Sequence, residues 1–483
     1  MKQFIHTSGP SITVALNQHA YGVVSSSLDP KYGSGTEVLE KQIYAFELLP
    51  PQLISSPNPA QAPHNSHLKH EGYNNSIEIQ QRDNAVQAVA SKWEEDTRTL
   101  ICAVSRYDKS ICVYIISVSD SPSGDEANSS TAVQPIVTYK TNKRCCSLQF
   151  AVIPKASKGS SEIMILIAGD LAGDATAFPV EKAAVEEEPP KSRLLLGHTA
   201  SMLTQIKVVE GRECKILTSD RDEKIRVSSF PQTFHVEGYL LGHKAYVTDM
   251  DILDHKYCIS TSGDGTIRLW DFTTCKEVAK VSVRGKHDKE EASESTNERA
   301  LDDDPNQVGS TGLKGIYNPP VRVASNKNGT MVAVIRDLVN DVDFYSINLN
   351  ETTAPSIEKN ESVKCPSQPL AIAFCENDTL YVLARNPTVL MRLRKDENSD
   401  TYLSAECELC AKLGKFGSSL VMPSSLLEVD ESGKLKVVKN VNAEREGFVK
   451  HEPWLSVERV EKAKQATLRR KKRLREREKK AKS

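Results

Sequence analysis

His198, Thr218 and Asp222, and again His243, Ser260 and Asp264, are residue types from which metal sites and acid–base pairs are built. An imidazole near a carboxylate can hold a metal ion or move a proton. The two sets are copies of one pattern. Each opens on a Gly-His pair, Gly197-His198 and Gly242-His243, with the histidines 45 residues apart. Sliding the stretch from Cys214 to Phe234 over Tyr257–Phe272 puts Asp222 on Asp264, Lys224 on Thr266 and Ile225 on Ile267. Chemistry needs one such constellation. A copy at a fixed period points instead to a structural network that closes each unit of a repeat.

The unit is a Gly-His, about twenty residues, then Ser-x-Asp-x-x-Ile-x-x-Trp, at a period of about 40–45 residues. That is the signature of a β-propeller blade. It resembles the WD-repeat pattern, in which the Asp sits in a tight turn and accepts from the His. The His is linked to the Ser or Thr, and that hydroxyl to the Trp. The second copy is complete, with Trp270; the first has Ser228 where Trp belongs. A buried carboxylate without partners is costly, so the network is expected only where every member is satisfied.

Asp220-Arg221-Asp222-Glu223-Lys224 differs from its counterpart, Ser262-Gly263-Asp264-Gly265-Thr266. A turn needs one Asp and small neighbours. Five consecutive charges are either a solvated turn or a rim that recognises a partner.

Composition bounds the rest. The chain has 483 residues, with 62 basic against 64 acidic. That length suits one large propeller with additions, and the near-neutral balance argues against a general polyanion binder. Eleven Cys, an odd number, sit mostly in strand-like runs such as Leu100–Val104 and Ile111–Ile115, as free thiols in a reducing compartment do. Cys407 and Cys410 form a lone Cys-x-x-Cys without a second pair, so no metal site is expected. The N-terminus lacks the apolar core of a signal peptide, and no apolar run nears eighteen residues. The expectation is a soluble protein of the cytosol or nucleus, with no membrane contact.

In chain order, Ser11–Leu16 and Tyr44–Leu48 open the first blade. Pro50 to Tyr73, rich in Pro, Ser, Asn and His, reads as a flexible insertion. Val86–Val89, Leu100–Val104 and the segment to Tyr114, with Tyr114 in the Trp place, form the second blade. Ser119–Ala132 reads as a polar loop. Cys146–Ile153, Ile163–Ala168 and the turn through Asp170 and Asp174 to Phe178 form the third. Glu181–Lys191 is an acidic linker, and the two strong copies are the fourth and fifth blades. Lys286–Pro305, with eight acidic residues against three basic, reads as a disordered insertion. Val321–Ala324, Met331–Ile335 and Val342–Ile347 give the sixth blade. Leu370–Phe374, Thr379–Ala384 and Val389–Leu393 give the seventh.

The expected fold is therefore all-β: a seven-bladed WD-repeat propeller over residues 1–440, with flexible insertions near 50–76 and 286–312. A basic tail, helical by composition, fills 441–483. Within 458–483 thirteen Lys and Arg face four Glu. Arg469, Arg470, Lys471, Lys472, Arg473 and Arg475 read as a nuclear-import signal, an RNA-binding arm or both, against a merely solvated tail.

Catalytic motifs are missing from the sequence. There is no P-loop, His-Glu-x-x-His or Gly-x-Ser-x-Gly, and Gly33-Ser-Gly35 stands alone outside any strand-to-helix turn. A binding scaffold is favoured over an enzyme, and a propeller hydrolase is disfavoured.

At the central blades the sequence is similar to one family in particular. Gly197-His198-Thr-Ala-Ser201-Met202-Leu203, Thr218 to Ser228 with its Asp-Arg-Asp-Glu-Lys-Ile-Arg, Leu241 to Val247, and Ser260 to Trp270 resemble the WD-repeat, non-catalytic subunit of the tRNA (guanine-N7)-methyltransferase. Lys143-Arg144-Cys145, the Gly-Asp-Ala-Thr-Ala-Phe turn and the basic tail support this. The resemblance implies a nuclear scaffold, with no cofactor of its own. It would bind and stabilise a separate catalytic subunit as a heterodimer, and that subunit would carry S-adenosylmethionine. The pair would form N7-methylguanosine in the variable loop of tRNA. Carried over, Lys224 and Arg226, then Arg221, would pair with acidic residues of the partner; Glu223 would orient an Arg and Asp222 would hold the turn. The alternative is a generic WD-repeat adaptor, as in ribosome assembly or ubiquitin ligation. It accounts for the blades and tail but not for the charged turn.

Overall fold

Short β-branched and apolar runs punctuated by turn residues form strands that pack on both faces. In the computed structural model the described residues are 5–8, 11–16, 19–25, 43–50, 85–118, 131–153, 163–180, 191–199, 201–211, 213–283, 318–349, 354–375, 378–384, 389–396, 401–405, 427–429 and 435–437. Contacts divide the chain into two units. All seven blades lie in the first, residues 1–64, 83–297 and 317–422.

Blade 1 holds β1 (Ile5–Ser8), β2 (Ser11–Leu16), β3 (His19–Ser25) and β4 (Ile43–Leu48). Blade 2 holds β5 (Val86–Glu94), β6 (Thr99–Arg106), β7 (Ser110–Ser117) and, after the detour of β8 (Thr131–Val133), β9 (Val137–Lys140). Blade 3 is β10 (Cys145–Ile153), β11 (Ile163–Asp170), β12 (Asp174–Pro179) and β13 (Arg193–Gly197). Blade 4 is β14 (Leu203–Val209), β15 (Lys215–Asp220), β16 (Lys224–Ser229) and β17 (Val236–Leu241). Blade 5 is β18 (Val247–Ile252), β19 (Tyr257–Ser262), β20 (Thr266–Asp271) and β21 (Lys276–Ser282). Blade 6 is β22 (Pro320–Ser325), β23 (Met331–Arg336), β24 (Asp341–Asn348) and β25 (Ser356–Lys364). Blade 7 is β26 (Pro369–Phe374), β27 (Leu380–Ala384), β28 (Val389–Lys395) and β29 (Tyr402–Ala405). Each of blades 3 to 7 is an antiparallel meander in chain order. The second unit, residues 65–82, 298–316 and 423–483, has one described element, the antiparallel hairpin of β30 (Leu427–Val429) and β31 (Leu435–Val437).

The seven-bladed all-β reading holds. One segment departs from it: Thr131–Val133, which begins at the end of the stretch Ser119–Ala132 read as a polar loop, adds to blade 1 as a fifth strand, β8, parallel to β4. Its Thr-Ala-Val has β propensity, and the edge of β4 offers unpaired backbone groups for it. The insertions expected near 50–76 (Pro50 aside) and 286–312, the tail 441–483, Cys407 and Cys410 lie outside the described residues.

The first strand of each blade is innermost, and successive inner strands pack in a ring that β1 and β26 close. Polar side chains two residues apart tie that ring together. His6 and Ser8 accept the N–H groups of Ser91 (3.2 Å) and Trp93 (2.9 Å). Ser147 and Gln149 accept those of Ile206 (3.2 Å) and Val208 (3.3 Å). Asp249 and Asp251 accept those of Val323 (3.3 Å) and Ser325 (2.8 Å). Thr7 donates to the Phe374 carbonyl, joining blade 1 to blade 7. Each innermost strand has a strand partner on its outer edge alone, so these bonds satisfy inner-edge donors that burial would otherwise orphan. Between blades the core is apolar: Leu217, Ile225, Val227 and Leu240 of blade 4 meet Met250, Cys258, Trp270 and Phe272 of blade 5.

His6 shows what this costs at low pH. Burial, reinforced by Lys207, pushes its pKa down to about 4. The folded state therefore binds fewer protons than the unfolded state between about pH 6.5 and 4, so stability falls as pH falls through that window. Chemical denaturation at pH 7.5 and pH 4.5 is expected to show wild type losing on the order of 2 kcal/mol more than His6→Gln. Equal losses would mean that His6 does not set the acid limb.

Candidate partner-binding rim

Blade 5 contains the complete network. His243 Nδ1 lies 3.1 Å from Asp264 Oδ2 and its Nε2 2.8 Å from Ser260 Oγ. Trp270 Nε1 donates to the same Ser260 oxygen at 2.8 Å. One tautomer satisfies every bond: Trp270 donates to Ser260, Ser260 to Nε2, and the Nδ1 hydrogen to Asp264. The imidazole is neutral, because burial lowers its pKa more than Asp264 raises it. Burial opposes ionisation of Asp264, but bonds from His243, Thr266 and the Lys244 N–H hold it well below the usual carboxylate range. Every polar atom that could do acid–base work is thus committed to holding the blade. Among the described residues no group of three His, Cys, Asp or Glu is placed to hold a metal.

Blade 4 solves the same problem differently, and one expected role moves. His198 Nε2 bonds Thr218 Oγ1 at 2.7 Å as expected, but its Nδ1 bonds Asp220, at 2.9 Å, not Asp222. Asp220 Oδ1 also accepts the N–H groups of Asp222 (2.9 Å) and Lys224 (3.2 Å). The carboxylate two residues earlier thereby does the work of both Ser262 and Asp264 in blade 5. Asp222 is left exposed on the turn beside Arg221, 3.8 Å away. The signal in the sequence was Asp220 itself, standing where blade 5 has Ser262; Asp170 does the same in blade 3, accepting from Ala172 (2.7 Å) and Asp174 (3.1 Å).

Arg226 is not presented outward with Lys224. It turns into the seam between blades 3 and 4, donating to Ser228 Oγ (2.9 Å), the Thr233 carbonyl (3.0 Å) and the Gly197 carbonyl (3.4 Å). Arg221, Asp222, Glu223 and Lys224 remain exposed at the tip. Glu223 has φ 73°, the left-handed position that Gly265 (φ 79°) fills in blade 5. A β-carbon there costs roughly 1–2 kcal/mol, so the glutamate is held against local preference.

The sequence reading missed the surface beside this turn. Five of the exposed large apolar side chains among the described residues lie on the outer edges of blades 3 and 4: Leu194 (61%), Phe234 (84%), Val236, Tyr239 (43%) and Leu241 (64%). Register explains the grouping. Lys224 pairs with Leu241, Arg226 with Tyr239 and Ser228 with Val236, so the apolar groups run down β17 from the charged tip. Blade 3 reaches this strip through its outer strand, where Thr233 of blade 4 donates to the Leu195 carbonyl. A charged tip continuous with an apolar strip has the make-up of a protein-binding surface. The basic cluster Arg469–Arg473 with Arg475 lies outside the described residues.

Residues 172–404, from the blade 3 turn to the last strand of blade 7, match the family model described as tRNA methyltransferase TRM82 WD40 domain. The chain resembles that domain over just under half of its length. It is similar to the protein named tRNA (guanine-N(7)-)-methyltransferase non-catalytic subunit wuho of Anopheles gambiae, 44% identical over 95 residues, covering 20% of this chain and 24% of the relative. To its namesake in Drosophila willistoni it is 32% identical over 192 residues, covering 39% and 44%. The chain thus matches less than half the length of these curated relatives. Among solved structures, the WD40 β-propeller domain of Doa1 aligns at TM-score 0.45 and 12% identity, covering 82% of this chain and 94% of that one.

Proposed function

We propose that this chain is the non-catalytic subunit of a tRNA (guanine-N7)-methyltransferase, a scaffold that docks and orients a separate catalytic subunit. The observation that carries the proposal is the blade 4 rim. An exposed tip of Arg221, Asp222, Glu223 and Lys224 is continuous with an apolar strip on β17. Lys224 and Arg221 supply cations to acidic groups of the partner, and Glu223 orients one of them. Arg226 acts from inside the seam, fixing the shape of the tip. The names of the curated relatives supply the partner's class. S-adenosylmethionine belongs to the catalytic subunit, the pair is a heterodimer, and tRNA is its substrate. The tail, with Arg469 to Arg475, directs the chain to the nucleus.

The test is methyl transfer to tRNA by the purified catalytic subunit, alone and with this chain added. The proposal expects N7-methylguanosine to form at a rate raised at least tenfold by the chain, and none from the chain by itself. Equal rates with and without it would overturn the scaffold role.

A further inference from the structure

The seam between blades 7 and 1 closes the ring, and it is made differently from the others. Successive blades elsewhere follow one another along the chain; here β1 to β4 come from residues 5–48 and β26 to β29 from residues 369–405. Among the described residues neither blade lends the other a strand. Side chains hold the two together. Thr7 donates to the Phe374 carbonyl, and Ile5, Ile12, Val14 and Tyr21 pack against Tyr381, Leu383 and Leu390.

Arg392 lies in this seam. It pairs in register with Tyr381 and stands two residues beyond Leu390, so it shares the face that both turn toward blade 1. The residue at this register position is apolar in the other blades: Gly22, Val113, Ala177, Val227, Leu269 and Phe344. Each packs on the blade that follows. Arg392 is 7% exposed; its Nε is buried without a hydrogen-bond partner, and it forms no ion pair among the described residues. The strands β1 to β4 carry one carboxylate, Glu47, opposite Tyr21 in register, and no ion pair joins it to Arg392. A lysine or histidine so placed could shed its proton, but a guanidinium stays charged. A buried charge without a counter-charge is strongly destabilising, so an Arg at an apolar position calls for an anion.

We infer that Arg392 binds a small oxyanion, phosphate or carboxylate, in the seam between blades 7 and 1. The guanidinium fork matches two oxygens of either group in one plane. The small exposed fraction of Arg392 admits an ion rather than a folded surface. An ion that only the folded ring can hold stabilises the ring, and here it does so at the junction that no described strand crosses.

The test follows urea unfolding of the full chain in phosphate, in acetate and in chloride at matched ionic strength. Phosphate stabilises folded chains in general through exclusion from their surfaces, so the reading is the difference between variants. Beyond that background, the wild-type unfolding constant is expected to fall with anion concentration at a log–log slope of about −1, as one site present only in the folded state requires. Arg392→Met is expected to lose this slope. In chloride its unfolding constant is expected to lie about tenfold below that of wild type, because an apolar side chain replaces a buried charge. Arg394→Met, which removes the same charge from an exposed site on β28, is expected to keep the wild-type response. Arg392→Lys keeps the charge but not the fork, so its response is expected to begin at higher anion concentration. A response to phosphate assigns the site to free phosphate, and a response to acetate alone assigns it to a carboxylate. Equal slopes for wild type and Arg392→Met would overturn the site. So would an Arg392→Met that fails to fold, or that unfolds in chloride more readily than wild type, because the guanidinium would then have its partner within the chain.

Discussion

Trp270→Ala is expected to lower stability by about 3–5 kcal/mol, the cost of emptying an indole site in a packed core. Trp270 is 1% exposed and fills the seam between blades 4 and 5 with Phe272, Met250 and Cys258. It also donates the hydrogen bond that ends the His243–Ser260 chain. Trp270→Phe separates the two contributions. It keeps most of the packing and removes one buried hydrogen bond, so it is expected to cost only about 1 kcal/mol beyond the small change in volume. Ser260 keeps its bond to His243, so no buried group is orphaned. The difference between the variants, read from denaturation midpoints, measures packing against polar network. Equal losses would show that the network, not the volume, holds the blade.

Lys224→Glu is expected to weaken capture of the catalytic subunit by about 2–5 kcal/mol, thirtyfold or more, because an attraction across a desolvated interface becomes a repulsion. Folding is expected to be unaffected. The Lys224 side chain is exposed, and only its backbone N–H serves the turn, through Asp220. Glu223→Gly sharpens the test from the other side. Relief of the left-handed strain at φ 73° is expected to raise stability by about 1 kcal/mol while capture weakens. A residue that costs stability and contributes binding is one retained for recognition. If calorimetry gave wild-type affinity for both variants, the tip would be a solvated turn and nothing more.

The fold was legible where residue type alone determines structure. Repeated Gly-His and Asp-x-x-Ile signals located blades 4 and 5, and apolar runs such as Leu100–Val104 located strands buried on both faces. The outer strands were harder. β13, β17 and β25 are half-exposed and of mixed polarity, so they carry no alternation strong enough to read. The ring of bonds from His6, Ser8, Ser147, Gln149, Asp249 and Asp251 was invisible for another reason. Polar residues at alternate positions of a strand normally signal a wet face; only closure of the ring makes them internal.

The candidate site was half legible. Charge density picked out the turn, and Lys224, Arg221 and Glu223 do sit at its tip. Aligning Asp222 on Asp264 gave the right register but the wrong role, because Asp220 was already within reach of His198 and of two backbone N–H groups. Arg226 follows the same logic: with Ser228 in place of Trp, the seam offers hydrogen bonds that hold the guanidinium inside. The strip from Leu241 to Phe234 depends on which face of β17 blade 3 leaves uncovered, and that is a tertiary fact.

The most direct test of the scaffold role is affinity purification of the tagged full chain from its own cells, wild type beside Lys224→Glu. Co-purifying proteins are identified by mass spectrometry, and methyl transfer to tRNA is assayed on each eluate. The account predicts a methyltransferase at near one-to-one ratio with wild type and N7-methylguanosine formation in that eluate, both lost with Lys224→Glu. Other partners in its place, with no tRNA methylation, would contradict it and make this chain an adaptor of another assembly.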